Sequence, residues 1–329
     1  MQVTLGEGHT PLVESRRLAR DLGLARLLFK LEGANPTGSY KDRFIAAEIG
    51  RLIAQDARAC VATSSGNTGA SLAAYAARYE IACTIVVGDA TPAGKLVQMA
   101  AHGARLIKVP GFTTDAGITQ RVLARLSQCG APLVVSAYRY CPVGMAGVES
   151  LGRELAGAAR HVFVPAGSGG LFIATLRGLA GEESRVHAVQ PEGCSTFVAA
   201  HQRGDHEIIP IAASRTRVSG LSVPFDIDAS LALSELRGSG GMAISVSDEA
   251  IFAAQAMMME LEGIYAEPAG AAALAGLIQS LQRGAISPSD SAVCVVSGHG
   301  FKDPDAAAAV AARHPAILVP ETELGGVLS

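Results

Sequence analysis

The chain has no tryptophan, and aromatic residues are only 5% of its 329 positions. Its core must therefore be built from aliphatic side chains. None of its six cysteines forms a C-x-x-C pair, and its eight histidines show no H-x-x-x-H spacing. A structural metal site is left unsupported. Cys60, Cys83 and Cys294 lie in apolar, strand-like runs and read as small buried hydrophobes. A disulfide framework is out of place in a chain of this size and type. There is no long run of either charge, and the formal net charge is −3. That argues against nucleic acid as a partner, which needs a concentrated basic surface. No apolar run reaches membrane-spanning length, because Arg, Glu or Gln interrupt the Ala-rich stretches. Met1-Gln2-Val3-Thr4 is not the basic start of a signal sequence. The expectation is a soluble, cytoplasmic chain with no membrane partner. Internal repeats and low-complexity linkers are also missing.

What is present is a core. Hydrophobic residues make up 49% of the chain and charged ones 17%, enough for one large or two modest domains. Strand and helix signals alternate. Leu27–Leu31, Cys60–Thr63, Ile81–Val87, Ala104–Val109 and Pro132–Ser136 read as strands. Between them, helices are expected at Thr68–Tyr79, Lys95–His102 and Asp115–Ser127. A second block holds a helix at Val148–Ala158, then strands at His161–Val164, Arg185–Val189, Ala243–Val246 and Ala292–Val296. Ser247 is the expected N-cap of a helix over Ala250–Glu262, and another helix covers Ala269–Gln282. Such alternation predicts crossover units and a mainly parallel α/β sheet. Residues 204–241, rich in Ser, Arg, Pro and Gly, have no assignment, and the tail after Pro315 is expected to be peripheral.

Four stretches carry chemistry. Gly38-Ser39-Tyr40-Lys41 opens an apolar run, Phe44, Ile45, Ile49, Leu52 and Ile53, spaced as one face of a helix. Lys41 then stands in a first turn, where the helix dipole disfavours an ammonium. A lysine that spends time neutral or as an imine suits that place; so does a solvated lysine beside Asp42. Ser64-Ser65-Gly66-Asn67-Thr68 joins a strand to a helix, as an N-cap or as an anion site. Gly167-Ser168-Gly169-Gly170 does the same, as a tight connection or a phosphate cradle, and it lacks the Lys-Ser/Thr ending of a P-loop. Ser297 ends a buried strand, where a hydroxyl caps the next segment or faces a ligand. Glu267-Pro268 opens a helix in the ordinary way, with an acid and a proline.

Taken in order, these stretches resemble the fold-type II pyridoxal-phosphate (PLP) enzymes, and threonine synthases in particular. The carriers are NPTGSYKDR at 35–43, SSGNTGAS at 64–71, GSGG at 167–170 and SGHGFKDPD at 297–305, with EGHTPL at 7–12. The likeness runs from about Gly6 to Asp305. It implies a two-domain α/β enzyme, each domain a mainly parallel open sheet flanked by helices. Residues 1–44 and 146–329 would form the large PLP-binding domain and 45–145 a small inserted one, with PLP between them. Lys41 would hold PLP as a Schiff base and move the Cα proton. Asn67 would meet the cofactor's phenolic oxygen, and Gly167, Ser168, Gly169 and Gly170 its phosphate. Ser297 would face the ring nitrogen, and Ser64, Ser65, Asn67 and Thr68 would bind the carboxylate of an amino-acid substrate. Glu267 would lie near the cofactor. The implied reaction is threonine formation from O-phosphohomoserine. The alternative is β-replacement on an O-activated serine, or serine/threonine dehydration. An idle binding protein and a nucleotide-binding α/β protein fit fewer of these motifs. A homodimer is the expected assembly. Two departures concern the substrate: the family's Asn-Ser pair is absent from 136–147, and the arginine there, Arg139, comes early.

Overall fold

The computed structural model describes residues 3–112, 115–324 and 327; Met1 and Gln2, at the start of the stretch read for a signal, lie outside them. Two sheets organise the chain. Their strands are β1 (Leu12–Glu14), β2 (Arg26–Leu31), β3 (Ala59–Ala62), β4 (Ala82–Gly88), β5 (Arg105–Val109), β6 (His161–Pro165), β7 (Arg185–Pro191), β8 (Ala243–Val246) and β9 (Ser291–Val296). One sheet has six strands in the order β1-β2-β9-β6-β7-β8, and the other has three, β3-β4-β5. Every pairing is parallel except β1 with β2. Helices connect the parallel strands, as a crossover requires. No described helix is long and apolar enough to cross a membrane.

The aliphatic composition shows in the packing. The helix Lys41–Ala54 buries Phe44, Ile45, Ile49 and Leu52 completely, the positions its sequence spacing marks. One apolar cluster runs from Ile85 on β4, through that helix and the helix Pro142–Glu154, to Val162 on β6 and Val293 on β9. Beside it lies a buried ion network. Arg43 donates to both oxygens of Glu32 at 2.8 and 2.9 Å and also to Glu154, and Lys30 donates to Glu154 at 2.6 Å. Burial raises the Glu154 carboxyl, but the hydrogen bonds from Arg43 and Lys30 outweigh it and bring the group down to about 2.

Several expectations change. The strand at Pro132–Ser136 shrinks to one parallel bridge, Val61 with Leu133. The backbone of Val61 pairs with Pro132 and Val134, and the chain then turns at Ala137, whose N–H donates to Val135 O. The helix expected at Val148–Ala158 begins earlier, at Pro142, since proline suits the first helical turn. The unassigned stretch holds a helix, Ala229–Gly238. Ser247 does cap its helix, accepting from Ala250 N.

Topology decides what meets what. β2 and β9 are neighbours in register, Leu31 beside Val296. The segments leaving their C-terminal ends therefore touch: Tyr40 N donates to Ser297 O, and Ser39 bridges Gly298. β6 pairs with β9 on its other side and delivers the turn at Gly167. The end of β3 delivers Ser64 from the smaller sheet. Ligands of open α/β sheets bind beyond such strand ends.

Candidate active site

A cleft of about 680 Å³ opens between the two sheets, and Lys41, Ser64, Ser65, Asn67, Thr68, Gly167, Ser168, Gly169, Gly170 and Ser297 all line it. That volume is in the usual range of a small-molecule site, roughly 300–1,000 Å³. Residues separated by more than 250 positions are brought together only because β2 and β9 are adjacent.

Lys41 is the first residue of its helix. Its Nζ donates to Ser136 Oγ at 2.7 Å and lies 4.4 Å from the centre of the Tyr40 ring. The sequence pattern puts Ser136 at the end of a strand; it is instead the residue that the shortened strand turns toward the lysine. Nothing in its local pattern distinguishes it from any other serine at a strand end.

The Gly167–Gly170 turn has the features of an anion cradle. The helix Gly170–Gly178 starts with no side chain capping it. Its first N–H groups have no partner within the helix, and the turn that carries them faces the cleft. Gly169 has φ +99°, and a Cβ there would stand 2.6 Å from Ala232 Cβ. Only glycine fits, and the backbone lies open to an incoming group. An uncapped helix start of this kind favours a phosphate. A phosphate cradle and a lysine amine in one cleft suit PLP, which carries a phosphate and an aldehyde.

Around this centre stand three carboxyls that burial pushes upward. Asp42 accepts from Thr37 N at 2.7 Å, Thr37 Oγ1 at 2.6 Å and Ser71 Oγ, which partly offset that rise. Asp228 accepts from Tyr138 N at 2.8 Å and Arg139 N at 3.1 Å, and so ties down the turn that carries Ser136. Glu267, 7% exposed, accepts from Asn67 Nδ2 at 3.0 and 3.1 Å. Lys302 lines the cleft and donates to Gln98 Oε1 at 2.6 Å; burial lowers its ammonium, with Glu267 and Asp42 pulling the other way. Arg139 is exposed at its side chain and is not among the cleft-lining residues. The rim is apolar, with Val97, Phe225 and Phe301 exposed there.

An α/β enzyme with an amine and an anion cradle at its strand ends is the class that fold and cleft define. The chain belongs to the pyridoxal-phosphate dependent enzyme family, whose model matches residues 3–298. It is 34% identical over 319 residues to the threonine synthase of Methanocaldococcus jannaschii, covering 93% of this chain and 78% of that one. The threonine synthase of Bacillus sp. strain ULM1 is also 34% identical, over 313 residues, with 93% and 86% covered. Among solved structures, the diaminopropionate ammonia lyase of Escherichia coli superposes with a TM-score of 0.82 at 17% identity, covering 95% of this chain and 90% of that one; this likeness concerns the fold. The protein is thus a PLP-dependent lyase similar to threonine synthases.

Proposed function

We propose that this enzyme forms L-threonine and phosphate from O-phosphohomoserine and water. The observation that carries the reading is that Lys41, the Ser64–Thr68 loop, the Gly167 turn and Lys302 of the HGFKD segment share one cleft. The likeness to threonine synthases over 93% of the chain supports it.

Lys41, Asn67, Gly167, Ser168, Gly169, Gly170 and Ser297 would hold the cofactor. Bound PLP supplies an electron sink that makes protons at the substrate's Cα and Cβ removable. Lys41 Nζ would be the base for the Cα proton. Ser136 Oγ gives that amine a fixed resting point. Ser64, Ser65, Asn67 and Thr68 take the substrate carboxylate at a helix N-terminus, where anions are favoured. Ser297 offers the ring a neutral hydroxyl rather than a charge. Lys302 supplies a cation for the departing phosphate, a role that the exposed Arg139 does not fill.

The exposure of Arg139 and the absence of the Asn-Ser pair favour a second reading: β-replacement on phosphoserine or acetylserine, or serine/threonine dehydration. Steady-state assays with phosphohomoserine, phosphoserine, acetylserine and threonine separate the two. Stoichiometric threonine and phosphate from phosphohomoserine support the first; turnover of the serine derivatives or threonine alone replaces it. The proposal includes the division into 1–44 with 146–329 and 45–145, and a homodimer as the working assembly.

A further inference from the structure

Glu267 precedes the helix Pro268–Gln282, at the position where a short polar side chain ordinarily turns back to accept a helix N–H. Its carboxylate makes no such capping bond. Both oxygens meet Asn67 Nδ2 instead, across 200 residues of sequence and from the opposite sheet. The backbone after β9 closes over this carboxylate: a Cβ on Gly298 would lie 2.2 Å from Glu267 Oε1. Glu267 is therefore held in place by the strand that delivers Ser297.

The two ends of an asparagine amide have nearly the same shape, and only its partners decide which way it faces. An ionised carboxylate accepts and does not donate. Facing Glu267, Asn67 has to present Nδ2 and turn Oδ1 away. With one N–H shared between the two carboxylate oxygens, the second would be left for an acceptor in the cleft. We propose that Glu267 is a positioning residue, whose carboxylate sets the orientation in which Asn67 offers an N–H to the cofactor. This rests on the reading of Asn67 as one of the groups that hold PLP. Burial pushes the Glu267 carboxyl upward; the hydrogen bond from Asn67 and the positive charge of Lys302 and Lys41 pull the other way, and Asp303 adds to the rise. Asn67 Nδ2 lies within hydrogen-bond distance of both oxygens, the arrangement of an accepting carboxylate, and it is on this geometry that the lock rests.

The test is Glu267→Gln, which has the same shape but pairs with either end of the Asn67 amide. The side-chain amide of Asn67 is followed by NMR in protein labelled with 15N-asparagine, and assigned by its loss in Asn67→Ser. PLP affinity is measured on the same samples. The expected result is a shifted or doubled Asn67 resonance and PLP binding weaker by about tenfold or more. The melting temperature should stay close to the parent's, and kcat should fall more than KM. Glu267→Asp, which retains the accept-only group, should recover part of the loss. An unmoved Asn67 resonance, or unchanged PLP affinity in Glu267→Gln, overturns the proposal. If Glu267→Gln fails to fold, Glu267→Ala is measured by the same two readouts, and an unmoved resonance or unchanged affinity there overturns the proposal equally. Resonance and affinity need no amino-acid substrate, so they stand apart from any failure of the phosphohomoserine reading.

Discussion

Lys41 Nζ and Ser136 Oγ are 2.7 Å apart although 95 residues separate them. The lysine leaves the turn that follows β2. The serine leaves the short bridge beside β3, and Asp228 holds its turn through Tyr138 N and Arg139 N. The amine thus has a partner fixed by both sheets.

That pairing is testable. Lys41→Ala should yield protein without the yellow colour of bound cofactor and without turnover. Ser136→Ala should retain the colour but lose turnover by about tenfold, the worth of a hydrogen bond to a charged group. Visible absorbance and steady-state rates on the two variants check this; an unchanged rate in Ser136→Ala removes the serine from the proposal.

Ser297 directly follows β9, is 4% exposed and lines the cleft. A hydroxyl does not favour a protonated ring nitrogen, and a carboxylate does. Ser297→Asp should therefore shift the cofactor's absorbance and divert product toward side reactions such as transamination. Product analysis by mass spectrometry decides it, and an unchanged spectrum and product mixture would show that Ser297 does not face the ring.

Acid should destabilise the fold in two stages. His187 is 1% exposed, and its Nδ1 accepts from Met242 N at 3.0 Å. Its Nε2 then carries the proton and donates to His161 Nδ1 at 2.8 Å, and His161 Nε2 in turn meets Asp290 at 3.3 Å. Burial, with His161 and Arg185 nearby, pushes His187 down to about 3. Between its unfolded value of 6.5 and that folded value, only the unfolded chain takes the proton, so stability falls as pH falls through this window. The full effect is roughly 3–5 kcal/mol. Glu154 adds a second loss from 4.5 down to about 2. Melting curves from pH 7 to pH 3 check the first stage. In His187→Gln the slope above pH 4.5 should flatten, and a parent curve flat over that range contradicts the account.

Arg43 is 3% exposed and holds two carboxylates, one of them on the fully buried Glu32. Arg43→Ala takes away that carboxylate's cation and leaves it only Thr10 Oγ1 and Asn35 Nδ2 as donors, at a cost of about 3–5 kcal/mol. Urea unfolding measures it; a loss below about 1 kcal/mol would mean that water compensates.

Much of this is legible in the sequence, for identifiable reasons. Glycine- and serine-rich turns after apolar runs mark strand ends wherever they occur, and the parallel sheet gathers those ends. Lys41, Asn67, Gly167 and Ser297 stand out for that reason. Ser136 does not, because its partner is set by tertiary pairing rather than by neighbours. Glu267 looks like an ordinary helix start; its tie to Asn67 exists only in three dimensions. β1 is silent in the sequence because three exposed residues carry no alternation. The helix Ala229–Gly238 is a different kind of miss. Ala229, Ala232, Leu233 and Leu236 are its buried residues, spaced as one helical face. The signal is present, and the surrounding Ser, Pro and Gly obscure it.

The apolar cluster that joins β4 to β9 through two helices also bears on how the enzyme comes apart. The larger sheet has a second cluster around Phe29, Phe163 and Val189, and the smaller a minor one of Val61, Val86 and Phe112, but the cluster they share means that melting either sheet strips the other of part of its core. Heating should give a single cooperative peak, with calorimetric and van't Hoff enthalpies in agreement. Limited proteolysis should not release a durable fragment carrying the smaller sheet alone.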